Sequence, residues 1–420
     1  MLKKRFLSMI KISVITIVFA SNIIFNSYAD DEINELNEAE NVEEILKTAV
    51  DIEQTEDIPK LNSREAIIID KKSKRIIYGK NENKRVAMAS TTKIMTAIIV
   101  LENANLNDEV IVSAKAAGIG GSRLGLKKND KITVMNLLYG LMLCSGNDAA
   151  IALAEHVAGS VESFADKMNE KAKDLKLQNT HFVTPHGLDN PEHYTTAYEL
   201  AIIADYAMDN EEFTKIVGTK NATVMINGYS KNIKNTNELL GYLNGVKGIK
   251  TGFTNNAGRC LVTCTNRSGF EIITVVLGAD TKKFRTEDSI KLIEYTYKNF
   301  KEIDITQTIN SKFSEWKKMN ENRMIIEKAK NNSYLQLEYE EIKNKCIPIK
   351  LADLDKIEVE INSLTFLNAP VECNTILGNM KIILKDEVIE TVNIVNKQQV
   401  EKKNKIDYFL EFLDVIAWLL

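Results

Sequence analysis

Val246-Lys-Gly-Ile-Lys-Thr-Gly-Phe-Thr254, the turn Asn255-Asn256, Cys260 to Thr265, the turn Ser268-Gly269 and Ile272 to Leu277 follow one another without a break. Short apolar runs separated by Asn and Gly turns predict three antiparallel strands. Well upstream, Ala66-Ile-Ile-Ile-Asp70, the polar turn Lys71 to Lys74 and Arg75-Ile-Ile-Tyr78 predict a β-hairpin. Between these strand regions the period changes. From Met88 to about Ala207 the chain is mainly helical, and Ile94, Ala97, Ile98 and Leu101 follow Ser90 at helical spacing. Thr133 is placed to cap a helix through Leu143, and Asp148 starts another. Ser163 with Asp166, and Thr196 with Glu199, read as capping boxes. Asp288 to Phe300 is again helical. Strands at both ends with helices between them predict one antiparallel sheet covered by helices, an α+β design.

Three short motifs lie inside this region in fixed order: Ser90-Thr-Thr-Lys93, Ser145-Gly-Asn147 and Lys250-Thr-Gly252. Ser-x-x-Lys recurs at Ser8/Lys11 and Ser314/Lys317, and Ser-x-Asn at Ser230/Asn232, whereas Lys-Thr-Gly occurs once. The ordered trio carries the weight. A serine hydroxyl needs a neighbouring base to become a nucleophile. On a helix, residues three apart share a face, which sets Lys93 beside Ser90. Burial and nearby positive charge can keep such a lysine neutral part of the time. Ser90 at a helix start also offers its N–H to an oxyanion. Ser145 is placed to pass a proton to a leaving amine, and the Asn147 amide to hold both Lys93 and a substrate carbonyl. Lys250 and Thr251 can clamp a carboxylate, with Gly252 leaving room for an extended peptide. The plain alternatives are an N-cap with a solvated lysine, an interhelix turn, and a strand entry with a glycine kink.

The first residues predict an export signal. Lys3, Lys4 and Arg5 precede the mostly apolar Ile12 to Phe25, and Ser27-Tyr28-Ala29 is a small-x-small cleavage site. An uncleaved anchor is the competing reading; Lys11 and Ser21-Asn22 favour cleavage. Asp30 to Pro59 is acid-rich and reads as a spacer. From Ile303 to Val395 the clearest strands are Ser333 to Tyr339, Lys356 to Ile361 and Met380 to Lys385, a small β-domain without a catalytic motif. Lys402, Lys403 and Lys405 then precede Ile406 to Leu420, where Asp407, Glu411 and Asp414 form one acidic stripe on an apolar helix. Fifteen residues fall short of the roughly twenty that span a bilayer. An in-plane amphipathic helix fits, as would a helix packed on another domain or subunit.

The expected boundaries are a signal at 1–29, the spacer at 30–60, a catalytic domain at 61–300, a β-rich domain at 301–397 and the amphipathic helix at 398–420. An apolar content of 44% suits a sizeable core, and a net charge of −4 gives no sign of a nucleic-acid partner. Five cysteines are an odd number. Cys260 and Cys264, four apart in a strand, lie about 13 Å apart, beyond the roughly 7 Å a disulfide allows, and read as core residues. Cys144, next to Ser145, is the one expected near the chemistry. His181 and His186 are candidate metal ligands, but with four histidines and no His-Glu-x-x-His, neither a metal nor a cofactor is expected.

On these motifs, with Asn179-Thr-His-Phe182, His186-Gly-Leu-Asp189 and Lys250-Thr-Gly-Phe-Thr254, the chain resembles the low-molecular-mass penicillin-binding proteins, serine-type D-alanyl-D-alanine carboxypeptidases of peptidase family S11. The resemblance runs from about Glu65 to Phe300 and continues more weakly through the β-domain. It implies a transpeptidase/β-lactamase-like catalytic domain followed by a β-rich domain and a membrane-binding helix. It also implies Ser90 as the nucleophile, with Lys93, Ser145 and Asn147 as catalytic partners. Lys250, Thr251 and Gly252 would bind substrate, and Phe253 would join the Ser90 N–H in the oxyanion hole. Arg285, in Thr281-Lys-Lys-Phe-Arg285, would be a further carboxylate contact. The implied partners are a peptidoglycan pentapeptide stem, β-lactams as covalent inhibitors, and the outer face of the cytoplasmic membrane, where an exported enzyme would be peripherally bound. A β-lactamase is the nearest rival, yet Glu192 and Glu199 lack its expected Glu-x-x-Leu-Asn setting. A wall-binding protein without activity is the other.

Overall fold

The computed structural model describes residues 58–320, 323–330 and 333–419. The expected export signal and nearly all of the acidic spacer lie outside them. The chain forms two compact units, one up to Lys298 and one from Asn299.

In the first unit the hairpin is β1 (Glu65–Asp70) and β2 (Ile76–Lys80). Asp70 shapes its turn by accepting the Ser73 N–H at 2.7 Å. The helices are α1 (Lys93–Asn103), α2 (Val134–Leu143), α3 (Asn147–Ala158), α4 (Val161–Asp174) and α5 (Ala197–Met208). Strands β3 (Val246–Thr254), β4 (Gly258–Arg267) and β5 (Phe270–Ala279) follow, and α6 (Lys282–Asn299) comes last. All five strands make one sheet in the order β2-β1-β5-β4-β3, antiparallel throughout. The sheet joins the two sequence-distant strand regions through β1 and β5, with Ile67 opposite Val275. Strand β3, carrying the third motif, is left at the edge.

Thr133 caps α2 as the sequence predicts, its hydroxyl accepting from Asn136 N. Three local expectations shift. Ser160, not Ser163, caps α4, because its side chain reaches the Ser163 N–H. Thr196 caps α5, but Glu199 does not complete the box; its carboxylate takes the N–H groups of Gln178 and Asn179 instead. Helix α6 begins six residues before Asp288, since Thr281 Oγ1 accepts the Phe284 N–H at 3.1 Å.

Helix α1 differs from a one-sided stripe: every residue from Lys93 to Val100 is buried. A helix covered all round lies in the interior, and its apolar residues share one core with α2, α3 and α5. Because the helix itself is central, Lys93 is carried out of water with it.

The second unit has the four-stranded antiparallel sheet expected of a β-rich region. Its strands, β6 (Leu337–Tyr339), β7 (Ile357–Ser363), β8 (Ile376–Leu384) and β9 (Glu387–Asn396), pair in the order β6-β9-β8-β7. Its separate core holds Leu337, Met380, Ile382 and Ile394. The final helix α7 (Lys405–Leu419) starts with a reciprocal cap: Asn404 Oδ1 accepts the Asp407 N–H, and Asp407 Oδ2 accepts the Asn404 N–H. Lys403 pairs with Glu411 on the acidic stripe, while Phe409, Phe412, Val415 and Trp418 are exposed. Among the described residues no helix is long and apolar enough to cross a membrane.

Candidate active site

Ser90 lies in one turn of 3-10 helix, Ala89–Thr92, that runs directly into α1. The α-helix proper thus starts at Lys93, three residues later than Ser90, yet the spacing still works. Lys93 Nζ is 2.8 Å from Ser90 Oγ. Ala89, just before the serine, has φ 47. That left-handed conformation is uncommon for a residue with a side chain and concentrates at functional sites. Gly187 makes the turn possible: a Cβ there would fall 1.9 Å from Ala89 O. His193 braces the turn from below. Its Nδ1 accepts the Val183 N–H at 3.0 Å, so its Nε2–H is left to donate to Thr92 Oγ1 at 2.7 Å. Burial pushes His193 down to about 4 and keeps it neutral.

Lys93 is surrounded by three oxygens: Ser90 Oγ at 2.8 Å, Asn147 Oδ1 at 2.8 Å and the His186 carbonyl at 2.7 Å. Burial first, and then the positive charge of Lys250, hold the Lys93 ammonium well below the ordinary lysine range. The neutral amine has two N–H groups and one lone pair. Asn147 Oδ1 and His186 O can only accept, so they take both N–H groups. The lone pair is left facing the Ser90 hydroxyl, which is the geometry a general base requires.

Asn147 is fixed at the start of α3. Its Nδ2 donates to Gly120 O at 2.8 Å, which orients the amide and leaves one further N–H. Ser145 stands in the link between α2 and α3 with φ 60. Its hydroxyl hydrogen-bonds to none of the described residues and meets the cleft. The neighbouring Cys144 also lines the cleft, but burial pushes its thiol up, away from the reactive thiolate. Cys260 and Cys264 are buried free thiols in β4, as the spacing predicts.

The cleft has a volume of about 550 Å³ and takes Ser90, Ser145, Asn147, Thr251 and Phe253 into its wall. Lys250 is not part of that wall. It is 1% exposed, and its Nζ donates to Thr251 O at 3.1 Å. Alternation along β3 puts it on the face of Gly252, the face that meets the Ser90 turn. The Lys250 charge thus stands directly behind Thr251 and Gly252, which do line the cleft. Gly252 has a second requirement besides room for a peptide. A Cβ there would sit 3.1 Å from Ala89 Cβ and from Ser90 N, so glycine also lets strand and turn touch. Arg285 does line the cleft, with Nη2 donating to Glu238 Oε2 at 3.1 Å.

Several groups here have roles that the sequence reading does not assign. The His186 carbonyl is one. Asp148 is another: fully buried, it accepts the N–H groups of Leu124, Gly125 and Leu126. Asp189 accepts from Thr254 Oγ1 at 2.6 Å and ties the His186–Asp189 stretch to β3. Arg259 lines the cleft and sets its guanidinium 3.8 Å from the centre of the Phe253 ring. Neither Glu192 nor Glu199 reaches the cleft wall.

A family model described as D-alanyl-D-alanine carboxypeptidase matches residues 52–281, and a second, described as the C-terminal domain of penicillin-binding protein 5, matches residues 329–402. D-alanyl-D-alanine carboxypeptidase DacF of Bacillus subtilis is 32% identical over 355 residues, 82% of this chain and 88% of that protein. Among solved structures, the D-alanyl-D-alanine carboxypeptidase DacD from Francisella tularensis superposes with a TM-score of 0.67 at 27% identity, covering 84% of this chain and 98% of that one. Penicillin binding protein 5 from Haemophilus influenzae gives the same TM-score, 0.67, at 27% identity over 82% of this chain and 99% of that one.

Proposed function

Because this chain belongs to the D-alanyl-D-alanine carboxypeptidase family, we propose that Ser90 is the nucleophile with which it releases the terminal D-alanine of peptidoglycan stem peptides. Neutral Lys93 takes the Ser90 proton as Oγ attacks the carbonyl between the last two D-alanines. The developing oxyanion is held by the N–H groups of Ser90 and Phe253. Ser145 relays the proton to the leaving amine. The departing residue's carboxylate lies against Thr251 and Arg285, with the Lys250 charge behind them. Water then hydrolyses the acyl-enzyme, and β-lactams acylate the same serine. The observation that carries this reading is the trio of oxygens around Lys93, which reserves its lone pair for Ser90.

The second unit and its last helix give the enzyme a place to work. Helix α7 lies in the plane of the outer face of the cytoplasmic membrane, with Phe409, Phe412, Leu413 and Ile416 in the lipid boundary and its acids in water. The chain is organised as an exported enzyme: a signal, a spacer, the catalytic domain at 61–300, the β-rich domain at 301–397 and the anchor at 398–420. The β-lactamase reading gains nothing from Glu199, whose carboxylate is occupied by Gln178, Asn179 and Thr180.

The test is mass spectrometry of the full chain after incubation with penicillin and, separately, with a pentapeptide stem. One adduct on Ser90 and release of one D-alanine are expected, and both are lost in Ser90→Ala. Labelling that persists in that variant would remove Ser90 from the chemistry.

A further inference from the structure

One wall of the cleft is a loop, residues 118–123, suspended by its backbone from the start of α3. Asn147 donates from Nδ2 to Gly120 O and from its backbone N to Ser122 O, both at 2.8 Å. On the far side, Asp148 accepts from Leu124 N at 2.8 Å and Gly125 N at 2.7 Å. Arg123 sits between these anchors, so its backbone is held fast while its side chain is exposed on the cleft. Among the described residues its guanidinium has neither a hydrogen bond nor an ion pair. Of the other cleft arginines, Arg259 lies on the Phe253 ring, and Arg285, paired with Glu238, is already assigned to the leaving residue. Asp189, the acid on the cleft wall, is taken by Thr254 and Asn256.

We propose that Arg123 binds a second substrate carboxylate, carried upstream of the bond that Ser90 attacks, and so selects acidic stem peptides. The inference rests on the reading of Ser90 as the nucleophile. Thr251 and Arg285 serve the leaving residue from β3 and α6, whereas Arg123 belongs to the helical wall hung on α3. An exposed guanidinium presents a rigid fork of donors that takes a carboxylate bidentately. A stem peptide offers that chemistry at two places upstream: the α-carboxylate of a γ-linked glutamate, and the side-chain carboxylate of a diamino diacid one residue later. Amidation neutralises either.

The experiment measures kcat/KM of the full chain on three soluble pentapeptides ending in D-Ala-D-Ala. One has both upstream carboxylates free, one is amidated at the second residue, and one at the third. One amidation is expected to lower kcat/KM by about fivefold, the upper range for an exposed ion pair, and the position that does so names the carboxylate. In Arg123→Gln the ratio between acid and amide falls below about twofold, and Arg123→Lys restores part of it. Raising the ionic strength shrinks the wild-type ratio, as screening requires. An acid-to-amide ratio equal in wild type and Arg123→Gln, or no ratio in the wild type, overturns the proposal while leaving Ser90 in place. No D-alanine release from any of the three by the wild type overturns both readings together.

Discussion

Around the Ser90 turn the molecule takes two lysines out of water; along α7 it leaves Phe409, Phe412 and Trp418 in it. Each region reverses the usual sorting of charge and hydrocarbon, and the two reversals differ in kind. At the turn the misplaced groups are locked, because Lys93 has three oxygen partners at 2.7 to 2.8 Å and nothing can slide. On α7 the misplaced groups are loose, and the ties are polar ones, the Asn404–Asp407 cap and the Lys403–Glu411 pair. A buried amine with fixed partners suits chemistry on one atom. An exposed apolar face suits a surface that offers no fixed partners, such as lipid.

The largest effect expected of breaking this contrast is at Lys93. Lys93→Met should slow acylation by about 10² to 10⁴, the range of lost general-base catalysis. Its stability should move far less, by under about 2 kcal/mol, because relief of a buried polar amine is opposed by two acceptors losing their donor. Stopped-flow acylation with a chromogenic cephalosporin and thermal melts separate the two. A large stability loss with intact acylation would make Lys93 structural.

Lys250→Met sharpens the same side of the comparison. The base works only when neutral, so acylation rises with pH through the Lys93 pKa. The Lys250 charge lowers that pKa; without it the pKa rises, and the acid limb of the pH–rate profile should move to higher pH. The loss should therefore be greatest at the acid end and smaller than that of Lys93→Met. A uniform loss across pH would remove the Lys250 charge from the tuning of Lys93.

The smallest catalytic effect belongs to the tail. Deleting Ile406 to Leu420 should leave kcat/KM on a soluble peptide within about twofold, while a signal-cleaved chain no longer pellets with membranes. Each apolar side chain buried in lipid contributes on the order of 1 kcal/mol or more, so several on one face suffice. Continued pelleting would place the anchor elsewhere, and collapsed activity would make α7 part of the fold.

What the sequence made legible was local. Ser90 and Lys93 are one turn apart whatever surrounds them, Thr133 finds its N–H three residues on, and β3 spans Val246–Thr254 as its apolar pattern predicts. What stayed hidden was made by distant pairs. The His186 carbonyl reaches Lys93 across 93 residues of chain, and a backbone carbonyl has no letter in the sequence. Burial of Lys250 depends on which sheet face meets the Ser90 turn, and no local pattern states that. The early start of α6 has no pattern to mark it, because Thr281 caps it ahead of Lys282, Lys283, Arg285 and Glu287, a polar turn with no apolar stripe.

The cleft loop hangs on Asn147 and Asp148 through peptide groups alone: Gly120 O, Ser122 O, and the N–H groups of Leu124, Gly125 and Leu126. Peptide groups are common to nearly every amino acid. Exposed positions such as Ser122 and Arg123 can therefore be rewritten by mutation without disturbing the suspension or the amide that serves Lys93. If Arg123 selects substrate as proposed, preference can drift over generations while the Ser90 turn stays as it is, and a laboratory seeking to retarget such an enzyme has its library positions already marked.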